Sequence, residues 1–330
     1  SSTPSRILGT QLYSSPDMAG FANGVMVRYL DCNDSYFSPG GGHPSDMIPA
    51  ALALGGPTES DGRSVITAIA LAYEVFCRLS DEVVTGEFGW DQGMFSIIGA
   101  TCAAGKLLGL NQEQMGHAIS LAIAPNLPLG VTRTGELSMW KGCATATATR
   151  AGIFAAQLAQ QGMTGPNEPF EGRRGLWEQA LGNTVNIPSF QKSRGSDDFR
   201  ILETTFKSYP SQIHTQAPIG VALELHLQVS PEKITSVLIQ SYDGAVSSPA
   251  TEPQKWDPKT RETADHSIPY LVAVALRYGS VDAGSFTSER IHDPALRTLM
   301  AKFTMEEIPD FTTGRIQLPH TGHRRRWKDL

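Results

Sequence analysis

The sequence predicts a mainly α protein in two parts, an all-helical domain over residues 1–201 and a smaller α+β domain over 202–330. Three observations predict this. The first two hundred residues carry several Ala-rich apolar segments of helical period; the pattern changes near Ile201; and the β-branched run Ile234 to Tyr242 lies beyond that change. At 330 residues the chain can bury a large core, and two domains fit that length better than one.

Val65 to Leu79 (VITAIALAYEVFCRL) reads as a helix apolar almost all round, and is therefore expected to be buried. Met94 to Leu110 is the next, with Gly105 in its later part and Gly109 near its end. Asn111 is placed to cap a following helix, with Gln114 three residues on as in a capping box, before Ala118 to Ala122. Cys143 to Gln161 is a fourth helix, stopped by Gly162 as a C-cap glycine. Residues up to about 200 are thus expected to be almost wholly helical, with strands only beyond. There, Pro218 opens a helix to Leu227, Ile234 to Tyr242 is a strand, and Ser267 to Tyr278 is a helix with Pro269 in its first turn. The last ten residues, Thr321 to Leu330, are basic, lack an apolar face and read as a solvated tail.

A net charge of -6 provides no global positive field for nucleic acid or an anionic membrane. An anionic substrate would have to be held by a few local cations. Cys32, Cys77, Cys102 and Cys143 lie far apart, with no C-x-x-C pair and no His at zinc or iron–sulfur spacing, so reduced thiols in an intracellular protein are expected. No apolar run reaches the roughly 18–20 residues that span a bilayer. The start has no signal-peptide pattern, which points to the cytoplasm or, with a transit segment before Ser1, the mitochondrial matrix.

The densest polar cluster is LDCNDSYFSPGGGHPSD, Leu30 to Asp46. Its three glycines can bring N–H groups up to an anion, although no G-x-x-x-x-G-K-[ST] pattern is present. Asp31, Asp34 and His43 form a conceivable metal set, ranked below a catalytic or structural role because no second ligand cluster follows. His43 alone reads equally well as a hydrogen-bonded structural residue and as a proton carrier. FKSYPSQIHTQ, Phe206 to Gln216, adds Lys207, His214 and two amides on a Pro-bounded turn at the domain junction, where ligand clefts form. Met139 to Gly142 (MWKG) places Lys141 at a helix entry. Lys141, Arg150 and Lys207 match a tricarboxylate in charge; the bland alternative is three lone surface cations. There is no G-x-S-x-G, H-E-x-x-H or G-x-G-x-x-G in a fitting context, so hydrolase, zincin and dinucleotide readings drop out.

At these segments, together with GWDQGMFSIIGATCAAGKLLGL (Gly89 to Leu110) and ADHSIPYLVAVAL (Ala264 to Leu276), the chain resembles the MmgE/PrpD family. That family contains 2-methylcitrate dehydratase and is related to cis-aconitate decarboxylase. The resemblance, from near residue 5 to about 310, implies a large all-helical domain with a smaller α+β lid, a homodimer, a small tricarboxylic acid substrate and no metal or organic cofactor. By motif it implies that Asp31, Ser35 and His43 line the active site, that Lys207 and Tyr270 are substrate contacts of the lid, and that Arg150 is the basic residue on the helix after MWKG. Relatives often have His where this chain has Gln92, which hydrogen-bonds but carries no proton at neutral pH. The resemblance also implies N-terminal helices that are not seen ahead of Ser1, and its pattern fades after Phe311, as expected of a fragment, an aberrant gene product or a shortened paralogue.

The mechanism this implies has His43 as general base oriented by Asp31, with Tyr270 or a lysine as proton donor. Lys141, Arg150 and Lys207 clamp carboxylates, and Ser35, Gln92 and His214 complete the substrate contacts. Aconitase uses an iron–sulfur Lewis acid for such chemistry, which the cysteine pattern does not support. Two alternatives stay open: decarboxylation of cis-aconitate with the same cationic clamp, and a catalytically impaired dimeric homologue.

Overall fold

The computed structural model of the chain describes residues 3–183, 185, 187, 199–246, 252–309 and 311. It is mainly α, in two compact units, Ser1–Ile213 and His214–Leu330. The basic run Thr321 to Leu330 lies outside the described residues.

The first unit is built around α4 (Gly93–Leu107), in which every residue from Gly93 to Gly105 is buried. Around it pack α2 (Ile48–Gly55), α3 (Gly62–Glu82), α5 (Gln112–Ile123) and α6 (Ala144–Gln160). On the far side of α6 lies α1 (Pro16–Tyr29). Small residues make the α4–α6 contact close: a Cβ on Gly152 would lie 2.8 Å from the backbone nitrogen of Thr101. Asn111 and Gln114 form the capping box of α5, and Gly162 follows α6 at φ +87°.

Two expectations are corrected here. Helix α3 is amphipathic: Ala68, Ala72, Tyr73, Phe76, Cys77 and Leu79 are buried, but Ile66 is 68% exposed. Only one stripe of a straight helix can face α4, and Ile66 falls on the other side. Strands also precede residue 200, as two-residue pieces. β1 (Ser5–Arg6) pairs antiparallel with β2 (Tyr13–Ser14), and β3 (Asp34–Ser35) pairs antiparallel with β4 (Thr205–Phe206). The second pairing sets Asp34 opposite Phe206 and Ser35 opposite Thr205, and so binds the 205–206 segment to the first unit. That is why the units divide after Ile213, beyond the sequence boundary at 201.

In the second unit α7 (Gln216–His226) carries Pro218 in its first turn and packs on the helix Ile268–Tyr278. Ser267 caps that buried helix by accepting from the Tyr270 N–H, and Gly279 ends it at φ +67°. The His226 Nδ1 meets the Leu276 carbonyl at 2.8 Å and ties the two helices together. β5 (Val237–Ser241) pairs in parallel with β6 (Phe303–Glu307), whose sequence FTMEE lacks the branched run that marked β5. No described helix is long and apolar enough to cross a membrane.

Candidate active site

The site grows out of the C-terminus of α1. Arg28, in the last turn, is only 2% exposed, and Asp31 follows at φ +50°, a left-handed conformation that Asp tolerates better than most residues. The chain then enters β3 and turns back through Pro39–Gly42, with the Tyr36 N–H donating to the Gly42 carbonyl at 2.9 Å. The glycine run permits close packing and does not cradle an anion. Gly40 donates its N–H to the Ser80 carbonyl at 2.7 Å, and Gly41 donates to Ser38 Oγ at 3.0 Å. Gly42 sits at φ +136°, where a Cβ would fall 2.5 Å from the Phe76 ring and 2.6 Å from Gln92 Oε1.

Behind this loop lies a buried run of alternating charge. Asp46 Oδ1 lies 3.8 Å from Arg28 Nε, Arg28 Nη2 lies 3.1 Å from Asp31 Oδ1, and Asp31 Oδ1 lies 3.3 Å from Lys207 Nζ. Lys207 also donates to the Asp31 carbonyl at 2.9 Å. Its side chain is fully buried, and burial lowers its pKa against the opposing pull of Asp31. Asn33 bridges the set, accepting from Arg28 and donating to Asp46, each at 3.2 Å. Burial also raises the carboxyl of Asp34, despite its bonds from the Ser45 N–H at 3.1 Å and the Tyr73 hydroxyl at 2.8 Å.

His43 sits beside this run, half-buried as a residue. Nδ1 lies 2.6 Å from the Asp34 carbonyl and 3.3 Å from Ser35 Oγ. A carbonyl only accepts, so Nδ1 carries the proton and Nε2 the lone pair. Burial, then the charges of Lys207 and Arg28, hold the imidazole well below its usual pKa. It is neutral at pH 7, as a general base must be. Asp31 does not orient the ring as expected: the Asp34 carbonyl does, while the Asp31 carboxylate is spent on Arg28 and Lys207. Asp31, Asp34 and His43 aim their polar atoms at different protein partners, so they make no common ligand set for a metal.

The first unit thus brings together Asp31, Ser35, His43 and Lys207, with Gln92 beside Gly42. Lys141 is buried in the single turn Met139–Gly142, and its charge is felt at Lys207. Arg150 is elsewhere: its side chain is 51% exposed and lies 3.4 Å from Asp17. Thr149, one position and about 100° earlier on α6, faces in and donates to the Asp46 carbonyl at 2.8 Å. Arg150 is therefore corrected from a carboxylate clamp to a surface ion pair. In the second unit Tyr270 is 0% exposed and its hydroxyl donates to the Ser285 carbonyl at 2.5 Å. Burial pushes its pKa up, and the proton-donor role expected of it does not suit that engaged hydroxyl. His214 Nδ1 is bonded to the Tyr242 hydroxyl.

Sequence reasoning missed Arg28, Asp46 and Arg133. The last meets Oδ2 of Asp91, the residue before Gln92, at 2.6 Å and donates to the Lys141 carbonyl at 3.3 Å. The nearest available signal was the position of Arg133 and Asp91 beside the segments MWKG and GWDQG.

Comparison with known proteins shows the family. The MmgE/PrpD N-terminal domain model matches residues 1–187 and the MmgE/PrpD C-terminal domain model residues 209–326, past the Phe311 limit read from the sequence. A 2-methylcitrate dehydratase of Salmonella typhimurium is 27% identical over 329 residues, which is 93% of this chain and 66% of that protein. A mitochondrial 2-methylcitrate dehydratase of Yarrowia lipolytica is 26% identical over 326 residues, 93% of this chain and 61% of that protein. A 2-methylcitrate dehydratase-like protein of Aspergillus oryzae is 27% identical over 332 residues, 93% and 65% respectively. The chain spans about two thirds of the length of the curated relatives it matches. With both domain models matched in order over most of its length, the chain belongs to the MmgE/PrpD family.

Proposed function

We propose that the protein is a cofactor-independent lyase that dehydrates 2-methylcitrate or a related alkylcitrate. The observation that carries this reading is a neutral His43, its Nδ1–H fixed on the Asp34 carbonyl, set beside the buried cation Lys207. Eliminating water from a citrate-like acid needs a base for the proton alpha to a carboxylate, cationic stabilisation of the charge that develops, and an acid for the departing hydroxyl. His43 Nε2 takes the proton. Lys207 and Lys141 hold carboxylates, Gln92 hydrogen-bonds the substrate, and Lys207, with its lowered pKa, returns a proton to the leaving oxygen. The names of the relatives support the dehydratase branch. In this reading the second unit is the lid of the larger helical one, and His214 is its substrate contact.

The test is an assay of the purified chain against 2-methylcitrate and cis-aconitate, following unsaturated product and CO2. Dehydration that persists in EDTA and vanishes in His43→Ala is expected. CO2 release from cis-aconitate as the main reaction would replace this reading with decarboxylation. Loss of turnover in EDTA with recovery on adding iron, zinc or magnesium would overturn its cofactor independence.

A further inference from the structure

Asp46 has no place in the mechanism above, yet it occupies the closed end of the charge run and is 1% exposed. It faces charge or polarity from every element packed on it: Arg28 of α1 at 3.8 Å, Asp34 of β3, Thr145 of α6 and, further off, Arg133. Oδ1 takes the Asn33 amide at 3.2 Å, and the Thr145 hydroxyl also bears on the carboxyl. Its one strong electrostatic attachment is Arg28, and Arg28 in turn holds Asp31, which holds Lys207.

We infer that Asp46 is a positioning residue that sets the basicity of His43 through Arg28, without touching the substrate. With Asp46 ionised, the Arg28 charge is shared between two carboxylates. Once Asp46 is protonated, that charge is balanced by Asp31 alone, the potential at His43 becomes more positive, and Nε2 becomes a weaker base. The same change strengthens the hold on an anionic substrate. Burial raises the Asp46 carboxyl to about 6, so the change falls inside an accessible pH range. His43 itself titrates well below its usual range and cannot be the source of a step near pH 6.

The test uses the full chain and two readouts. The first rests on the dehydratase reading: wild-type kcat should fall as pH drops through about 6. Asp46→Asn should lower kcat roughly tenfold at pH 7.5, leave KM unchanged or reduced, and lose that inflection, as a weakened general base implies. Asp46→Glu keeps a carboxylate behind Arg28 and should keep the inflection. The second readout needs no turnover. The Cε1 proton resonance of His43 should show an inflection near pH 6 in the wild type and in Asp46→Glu, and none in Asp46→Asn. If no tricarboxylate is turned over, the functional reading fails while the resonance still decides the role of Asp46. A His43 resonance that ignores pH near 6 in the wild type, or an inflection that survives in Asp46→Asn, overturns the inference. If Asp46→Asn does not fold, the wild type and Asp46→Glu decide by the same criterion.

Discussion

At Gly42 two demands meet: a φ of +136° and the absence of a Cβ against Phe76 and Gln92. Gly42→Ala should therefore cost about 1–3 kcal/mol of stability, by backbone strain and overpacking together. Urea denaturation measures this, and an unchanged midpoint would contradict the packing described. Gln92, held beside Gly42, is where the family resemblance implies a His. If it limits proton transfer, Gln92→His raises kcat by about 10²-fold, the lower end of what a positioned acid or base supplies. A raised KM with unchanged kcat would instead mark Gln92 as a carboxylate contact. Residues carried by contiguous motifs, such as Asp31, Ser35 and His43, could be picked out of the sequence because the loop that unites them is short. Arg28 and Asp46 could not: an Arg in a helical turn and an Asp after a Ser look like surface residues, and only their burial shows that their charges are spent on each other. Arg150 misled for the converse reason, since one residue of helical rotation separates the inward Thr149 from the exposed cation.

Gly152 matters to the element that carries it. A side chain there would press on the α4 backbone at Thr101 and Ala100 and drive α6 away from the central helix. Gly152→Val should destabilise the protein by at least the roughly 1–3 kcal/mol of an overpacked core, and by more if α4 cannot shift. A Tm equal to wild type would show that the contact yields freely. Helices with local signals were legible: the Asn111–Gln114 box, the Gly162 stop, Pro218 and Pro269 all act within one turn of their own position. β3 and β4 were not, because two residues carry no periodicity and their pairing depends on a partner far along the chain. β6 escaped notice for a related reason, its strand character being imposed by β5 and not by branched side chains.

In the first unit Met18, Met26 and Tyr29 of α1, Met139 and Trp140 before α6, and Phe154 of α6 are all exposed, on elements that contact one another. We propose that the homodimer implied by the family resemblance uses these side chains. Sedimentation or light scattering should find a dimer in the wild type and a monomer in Trp140→Asp/Phe154→Asp; a monomeric wild type would refute the proposal. The mainly α architecture was visible in the Ala-rich segments, whereas the pairing of β3 with β4 was not. That pairing also governs how the molecule comes into being. Thr205 donates its hydroxyl to the Ser35 carbonyl across 170 positions, a loop whose closure costs about 4–5 kcal/mol in chain entropy by the logarithmic rule. Helices α3 to α6 join through much shorter loops, so they assemble first and the Lys207–Asp31 contact closes on a helical scaffold already in place. On a ribosome the site stays open until Lys207 has emerged. Until then Asp31 and Arg28 have no lysine partner, and the nascent chain carries the core of the fold without the cation that completes its chemistry.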